Sequence, residues 1–181
     1  MKLGTVNPMR VSATVVRFVV LVIAVAASTR SLRSDPPDAP KKADRIVIVK
    51  SARTLTLMSG TQVFKTYKVA LGRQPTGPKE MAGDHKTPEG HYTIDSRNAN
   101  SQFHRALHIS YPNQLDREQS HRLGVNPGGG IEIHGVGSNY AWLGGLHRQL
   151  DWTDGCIAVT DEEIEEIWGL VPVGTPVEIR P

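Results

Sequence analysis

The segment from residue 45 to residue 71 is a series of short apolar runs separated by tight turns. Residues 45–50 are β-branched and apolar, residues 54–58 alternate apolar and polar side chains, and residues 63–71 form a further run after a Ser-Gly turn. Strands this short, joined by turns this tight, pair with their sequence neighbours. The folded domain is therefore constrained to begin as an antiparallel sheet.

Further strand patterns follow along the chain. Residues 89–95, 107–111, 131–134 and 176–180 predict strands, whereas the polar residues 114–123 predict a short surface helix. We expect a mostly β domain with one or two helices, arranged as a curled β-sandwich or small barrel.

The second helix is predicted shortly after the cysteine of the chain. Thr160 followed by Glu163 is a capping-box pattern. Apolar residues then recur at helical spacing from Ile164 to Val171. Gly174 is predicted to end this helix.

The N-terminal part predicts export rather than a folded domain. Residues 1–27 predict a signal peptide or an N-terminal membrane anchor, because a basic start precedes the apolar residues 18–27 and small residues follow. This apolar run is short of the about 20 residues that a spanning helix needs. Residues 28–44 are polar and proline-rich and predict a flexible linker. Residues 45–181 have the size of one domain.

The positive charge of the chain is concentrated in the predicted leader. The chain contains 21 Lys and Arg residues and 18 Asp and Glu residues. Residues 1–26 hold three of the basic residues and no acidic one. The remainder therefore contains 18 basic and 18 acidic residues. We therefore expect no nucleic-acid partner, because such a partner requires a clustered basic patch.

Cys156 is the only cysteine of the chain, so it cannot form an intramolecular disulfide. Its thiolate would be a nucleophile if a nearby base generated it. The alternative is a small buried hydrophobic residue. His134 ends a predicted strand, and Cys156 precedes a buried-strand pattern, so the two side chains are expected at the same edge of the sheet. Gly155 would allow close approach of substrate and leave N–H groups for an oxyanion.

Three segments, in this order along the chain, carry a resemblance to a known family. They are Gly83–Ile94 with its Gly-Asp-x-x-Thr-Pro-x-Gly pattern, Ile131–Gly135 with Ile-Glu-Ile-His-Gly, and Thr153–Ile157 with Thr-Asp-Gly-Cys-Ile. Together they resemble the catalytic domain of the L,D-transpeptidases, the YkuD-type family. The resemblance implies the curled β-sandwich of that family and a location in the periplasm or cell envelope.

The resemblance also implies a mechanism. Cys156 would attack the carbonyl of the third residue of a peptidoglycan stem peptide, release D-alanine and form a thioester. His134 would be the general base, and the Gly135 carbonyl would orient its imidazole. The N–H groups of Gly155 and Cys156 are the candidates for the oxyanion hole.

An amine would then resolve the thioester, from a second stem peptide or from a lysine of a wall-linked lipoprotein. No metal or organic cofactor is implied. We expect a monomer whose only membrane contact is through the N-terminal segment.

The sequence departs from the family pattern on both sides of the cysteine. Many members have His at the position of Asp154 and Arg at the position of Ala158. An anion at Asp154 would disfavour the thiolate, unless it points away or a cation of His147 or Arg148 offsets it.

The loop of residues 136–152 is either a lid over the substrate groove or an ordinary loop with aromatic residues packed beneath it. His147 is the rival for the role of base. The residues assigned to substrate binding are Thr153, Asp154, Trp142, His147, Arg148 and Trp152.

Three alternatives stay open at this point. A hydrolase of the same fold would transfer the acyl group to water and trim stem peptides or release a wall-attached lipoprotein. A peptidoglycan-binding module would keep the fold without the chemistry. Metal binding by His134, His147 and Cys156 would lack the close paired spacing of zinc sites.

Overall fold

The computed structural model describes Met1, Gly4 and residues 42–181. The predicted export signal at residues 1–27 and most of the predicted linker at residues 28–44 therefore lie outside the described residues, and both assignments stay predictions. Among the helices of the described part, none is both long and apolar enough to cross a membrane.

Eight strands of the described part form a single sheet. They are β1 Arg45–Val49, β2 Thr54–Ser59, β3 Gln62–Lys68, β4 Gly90–Ser101, β5 His104–Ile109, β6 Glu132–His134, β7 Ile157–Ala158 and β8 Pro176–Arg180. Their spatial order is β3-β2-β1-β8-β4-β5-β6-β7. Strand β8 is parallel to β1 and β7 is parallel to β6, whereas the other neighbours are antiparallel. The antiparallel start predicted from residues 45–71 is confirmed.

Two α-helices and a 3₁₀ segment complete the described part. Helix α1 spans Gln114–Leu123 with an Asn113 cap, and helix α2 spans Asp161–Leu170 with the predicted Thr160–Glu163 capping box. The 3₁₀ segment Ala141–Gln149 is kinked at Gly144. The mostly β architecture predicted from the sequence is confirmed.

The end of α2 differs from the prediction. The helix stops at Leu170 instead of reaching Gly174, because Val171 adopts an extended conformation. Proline follows at position 172, and the residue before a proline is disfavoured in the helical region. Val171 is buried and its N–H still donates to the Ile167 carbonyl at 2.9 Å. Its apolar side chain therefore fits the helical pattern although its backbone has already left the helix.

The sheet curls until its two ends meet. Ala70, just beyond β3, exchanges two backbone hydrogen bonds of 2.9 Å with Ala158 of β7. The contact continues where the Thr153 N–H donates to the Leu71 carbonyl at 3.1 Å. Strand β7 is thus held by β6 on one side and by the segment after β3 on the other. This closure makes the sheet barrel-like and fixes the chain immediately before β7.

Alternation along β6 and β7 separates the core from the outer face. Ile133 and Ile157 are opposite each other and fully buried in the apolar core, which also receives Ile164 of α2. Successive side chains of a strand point to opposite faces. His134 and Cys156 therefore lie together on the face opposite to that of Ile133 and Ile157.

The Thr-Pro-Glu-Gly turn fastens a long loop, residues 69–89, against the sheet. The buried Thr87 hydroxyl accepts the Gly72 N–H at 3.0 Å. The buried Lys50 ammonium donates to the Thr87 carbonyl at 2.9 Å and to Glu89 at 2.8 Å. A side chain at Gly72 would meet the Gly155 Cα at 3.1 Å. The turn therefore holds the backbone that lies against Gly155, next to the cysteine.

Asp84 organises the other half of this loop. Its carboxylate accepts the Lys79 ammonium at 2.7 Å and the backbone N–H groups of Glu80, Met81 and Lys86 at 2.8–3.1 Å. These bonds, led by the one from Lys79, lower the pKa of Asp84 to about 2 despite the opposing effect of burial. The Gly-Asp of the recurrent segment is thus a structural feature of the loop.

Thr87→Val is expected to reduce the free energy of unfolding by about 1–3 kcal/mol, because the buried Gly72 N–H loses its acceptor. Urea denaturation of purified protein measures this change. Thr66→Val is the matched control, since Thr66 is exposed on β3 and should change stability by less than about 0.5 kcal/mol. Equal effects of the two substitutions would contradict the proposed role of the turn.

Candidate active site

His134 is fixed in one tautomer by the residue that follows it. Its Nδ1 lies 2.6 Å from the Gly135 carbonyl oxygen. A carbonyl can only accept, so Nδ1 carries the proton and Nε2 is left as the free acceptor. The ring is buried and stacks on Phe103 with centroids 4.4 Å apart. Burial lowers the pKa of His134, which keeps the imidazole neutral and able to accept a proton.

Cys156 lies one residue before β7 and is partly exposed. Its Sγ donates to the Gly130 carbonyl at 3.5 Å. Burial raises the pKa of the Cys156 thiol to about 11, and the negative charges of Glu132 and Asp154 act in the same direction. The buried Lys79 ammonium opposes them. The resting group at neutral pH is therefore a thiol.

The two groups share a face but are not joined by a hydrogen bond in the resting structure. His134 pairs with Ala158 across the parallel strands, which places Cys156 opposite Glu132. Among the described residues, no hydrogen bond joins Sγ to the imidazole. Catalytic hydrogen bonds are often long in the absence of substrate and tighten in the complex. The thiol hydrogen bond of the resting structure goes instead to the Gly130 carbonyl.

Gly155 is required where it stands. Its φ is +129°, and a Cβ there would lie 2.6 Å from the Lys86 carbonyl oxygen. Its N–H already donates to the Thr153 hydroxyl at 3.1 Å. Of the two N–H groups predicted for the oxyanion hole, the one of Gly155 is thus engaged in the turn. The Cys156 N–H is the better candidate.

Thr153 shapes the cysteine turn from within. It is buried, and its hydroxyl also donates to the Cys156 carbonyl at 2.8 Å. The predicted substrate contact of Thr153 is at odds with this position, because both functions of its hydroxyl are used inside the turn.

Asp154 points away from the sulfur. Its carboxylate accepts from the Arg73 guanidinium and from His85 Nδ1 at 2.8 Å, and its side chain is 74% exposed. The hydrogen bond from Arg73 holds the pKa of Asp154 below its usual value. The sequence left open that Asp154 points away or that a cation of His147 or Arg148 offsets it, and in the structure its partners are Arg73 and His85. Arg148 pairs instead with Glu163.

Arg73 and His85 gave no sequence signal of a site. They are far from Asp154 in the chain and meet it because Arg73 N–H donates to the Thr153 carbonyl at 3.0 Å, beside the closure of the sheet.

The rival base His147 has a different environment. It is buried in the 3₁₀ segment, and its Nδ1 accepts from Trp152 Nε1 at 3.4 Å. Burial lowers the pKa of His147 to about 4. Trp152 approaches the rings of both His147 and His134, with centroids 6.4 and 5.9 Å away. His147 therefore belongs to an aromatic cluster behind the candidate base.

An apolar cavity of about 870 Å³ opens beside His134. The 3₁₀ segment forms one wall, and Phe103 and Trp152 form the wall next to the imidazole. Trp142, which the sequence assigned to substrate binding, is 78% exposed and does not line the cavity. The loop of residues 136–152 thus covers aromatic residues and borders a groove at the same time.

The described residues contain no group of three or more His, Cys, Asp or Glu side chains that could hold a metal ion. The groups that meet at this edge of the sheet are a thiol, a neutral imidazole and backbone groups. These are the parts of a nucleophile and its general base.

Residues 43–179 match the family described as the L,D-transpeptidase catalytic domain, YkuD. The chain belongs to the L,D-transpeptidase family. The match contains the His134 and Cys156 segments and the Gly-Asp-x-x-Thr-Pro segment. The family resemblance predicted from these segments is confirmed.

The chain is similar to several members and structures of this kind. It is 30% identical over 132 residues to the putative L,D-transpeptidase YafK of Escherichia coli (strain K12), covering 70% of this chain and 46% of YafK. The crystal structure of the helical cell shape determining protein Pgp2 from Campylobacter jejuni matches with TM-score 0.57 and 26% identity, over 74% of this chain and 46% of Pgp2. Bd1075 of Bdellovibrio bacteriovorus matches with TM-score 0.52 and 25% identity, over 77% of this chain and 48% of Bd1075. The chain thus corresponds to about half the length of these relatives.

Alkylation of this L,D-transpeptidase-family domain by iodoacetamide is expected to report a resting thiol. Because burial raises the pKa of Cys156, the rate should still be rising at pH 10, whereas an ordinary cysteine with pKa about 8.5 has reached its plateau. Intact-mass measurement gives an unambiguous rate, since the chain has one cysteine.

The urea-unfolded protein is the control, and the midpoint of its alkylation rate against pH should lie at the pKa of an ordinary cysteine. Asp154→Asn should lower the midpoint of the folded protein, because it removes an anion that disfavours the thiolate. A folded-state midpoint at or below pH 8.5 would contradict the assignment of a neutral resting thiol.

Proposed function

We propose that this domain transfers the acyl group of a peptidoglycan stem peptide to an amine through a thioester on Cys156. The observation that carries the proposal is the His134 tautomer. The Gly135 carbonyl fixes the proton on Nδ1, so that Nε2 is available on the face that carries the Cys156 thiol. Family membership supplies the substrate class.

The first half-reaction cleaves the bond after the third residue of the stem. His134 Nε2 takes the proton of the Cys156 thiol while sulfur attacks the carbonyl carbon. The Cys156 N–H donates to the oxygen that becomes negative. The C–N bond then breaks, and the imidazolium returns its proton to the departing amine of D-alanine.

The second half-reaction reverses these proton movements. An acceptor amine attacks the thioester, His134 removes a proton from it, and the thiol of Cys156 is regenerated as the new amide forms. The acceptor is a second stem peptide, giving a 3-3 crosslink, or a lysine of a wall-linked lipoprotein.

The electrostatics support proton transfer that is coupled to attack. Burial lowers the pKa of His134 and raises that of Cys156, so the neutral pair is the stable resting state. An ion pair would form only as the substrate carbonyl accepts the sulfur. General-base catalysis of this kind contributes about 10²–10⁴-fold to a rate.

Hydrolysis of the same thioester is the second candidate function. The partial exposure of Cys156 favours it, because water can approach a thioester there without a dedicated acceptor site. Such an enzyme would trim stem peptides or release an attached lipoprotein.

The cell envelope is the location that we propose for this activity. The predicted export signal supports it, and so does the name of Pgp2, a cell shape determining protein.

Two of the residues predicted to bind substrate, His147 and Trp152, line the cavity beside His134. The other residues of that prediction, besides Thr153, are Asp154, Trp142 and Arg148.

Incubation with a defined tetrapeptide muropeptide is expected to give a covalent adduct on Cys156 with loss of D-alanine, detected by intact mass. Cys156→Ala should form none. His134→Gln should slow adduct formation by about 10²–10⁴-fold, because it removes the base. His121→Gln is the matched control and should retain most of the rate, since His121 is exposed on α1 and does not line the cavity beside His134.

Products with and without an added amine acceptor distinguish the two candidate functions. A new amide supports transpeptidation, and a tripeptide alone supports hydrolysis. Absence of any adduct, with muropeptide binding retained in both wild type and Cys156→Ala, would overturn the proposal in favour of a binding module.

A further inference from the structure

The first turn of α2 lies against the loop that follows the candidate base. One oxygen of the Asp161 carboxylate, Oδ1, accepts the N–H of Val136 at 2.8 Å and the N–H of Gly137 at 3.0 Å. Two backbone donors of the His134–Gly137 segment therefore converge on a single side-chain atom. No step of the proposed mechanism uses this carboxylate directly.

The contact is close enough to dictate the residue at position 135. A Cβ on Gly135 would collide with Asp161 Oδ1 and would lie 2.9 Å from the Phe103 carbonyl oxygen. Gly135 has no unusual φ, so its role here is to leave space rather than to allow a special conformation. The space is occupied by the carboxylate.

The same loop carries the oxygen that sets the tautomer of the base. The Gly135 carbonyl accepts from His134 Nδ1 at 2.6 Å, and the peptide unit that contains this carbonyl also contains the Val136 N–H. Asp161 holds one end of that peptide unit, and His134 donates to the other end. The orientation of the imidazole is thereby linked to α2.

The start of α2 is itself well held. Thr160 caps it, and the Glu163 carboxylate accepts the Thr160 N–H at 3.0 Å and pairs with Arg148 of the 3₁₀ segment. The side chain of Asp161 therefore projects from a rigid turn rather than from a loose loop end.

Titratable and charged groups face His134 from several elements packed around it. Asp161 of α2 is the anion that raises the pKa of His134 against the effect of burial. His147 of the 3₁₀ segment has its pKa lowered to about 4 and is neutral above pH 6. Arg105 of β5 is paired with Glu165. Glu132 of β6 lies on the same face, opposite Cys156.

We propose that Asp161 is a positioning residue for the base: it holds the Val136 peptide unit so that the Gly135 carbonyl keeps the His134 proton on Nδ1. This role rests on the proposed function, in which Nε2 must be the free acceptor. Asp161 touches neither the thiol nor the substrate in this scheme and acts through Gly135.

Comparison of Asp161→Asn with Asp161→Ala distinguishes the loss of the hydrogen-bond acceptor from the loss of the negative charge. The asparagine carbonyl can replace the one oxygen that accepts both N–H groups, whereas alanine provides none. We expect Asp161→Asn to keep the rate of adduct formation within about threefold at its optimum, and Asp161→Ala to lose about 10²-fold in kcat with little change in KM, because a displaced catalytic group costs about that much.

The pH profile gives the second measurement. His134 must be neutral to accept the thiol proton, so the rate rises with pH through the pKa of His134. Removal of the Asp161 charge disfavours the imidazolium and is expected to move this acid limb to lower pH in Asp161→Asn. The matched control Glu162→Gln, in the same turn and beside Asp161, should leave the profile unchanged.

Nitrogen NMR of His134 tests the inference without any substrate. Wild type and Asp161→Asn are expected to show one tautomer, protonated on Nδ1, and Asp161→Ala a mixture. Equal loss of thermal stability in both variants, with the tautomer and its titration unchanged, would overturn the positioning role. An unreactive wild type that still shows these NMR changes would overturn the proposed function alone.

Discussion

The pairing of Ala70 with Ala158 is the contact on which the site depends. It closes the curled sheet, holds β7 from the side opposite β6, and brings the loop after β3 against the cysteine turn. Gly72 then lies against the His85 carbonyl and the Gly155 Cα, and Gly155 lies against the Lys86 carbonyl, so neither has room for a side chain. A nucleophile that follows such a turn is held by backbone contacts on both sides, and its position does not depend on its own hydrogen bonds.

Burial has opposite effects on the two reacting groups, and both effects favour a neutral pair. The aromatic cluster around His134 lowers the pKa of the imidazole, and the surroundings of Cys156 raise the pKa of the thiol. Two groups favour the thiolate against burial, namely the Glu132 backbone through a hydrogen bond and the Lys79 ammonium through its charge. Lys79 is committed to Asp84. In the proposed mechanism the charged pair would therefore form only as sulfur attacks the substrate.

The parts that could be predicted from sequence are those set by local pattern. Alternation gave the first three strands, and the Thr160–Glu163 box gave the start of α2, because both depend on neighbours a few residues apart. The His134 and Cys156 segments could be assigned through resemblance. Arg73, His85 and Asp161 could not, because their partners lie on other elements. The Asp161 contact with residues 136 and 137 exists only once α2 has packed beside β6. The end of α2 was misjudged because the apolar pattern continues to Val171 while the proline after it ends the helix.

The loop after β3 explains why Asp154 can lie next to Cys156. Asp154 would oppose a thiolate if it faced the sulfur, yet its carboxylate is turned to Arg73 and His85 and is largely exposed to solvent. Solvent, the Arg73 guanidinium and the hydrogen bond from His85 screen its charge, so that its effect on Cys156 is secondary to burial. Arg73 is brought there by its backbone bond to Thr153, which is part of the closure of the sheet. An aspartate can therefore stand beside the cysteine in this chain because the fold delivers its counter-charge from a loop about 80 residues away.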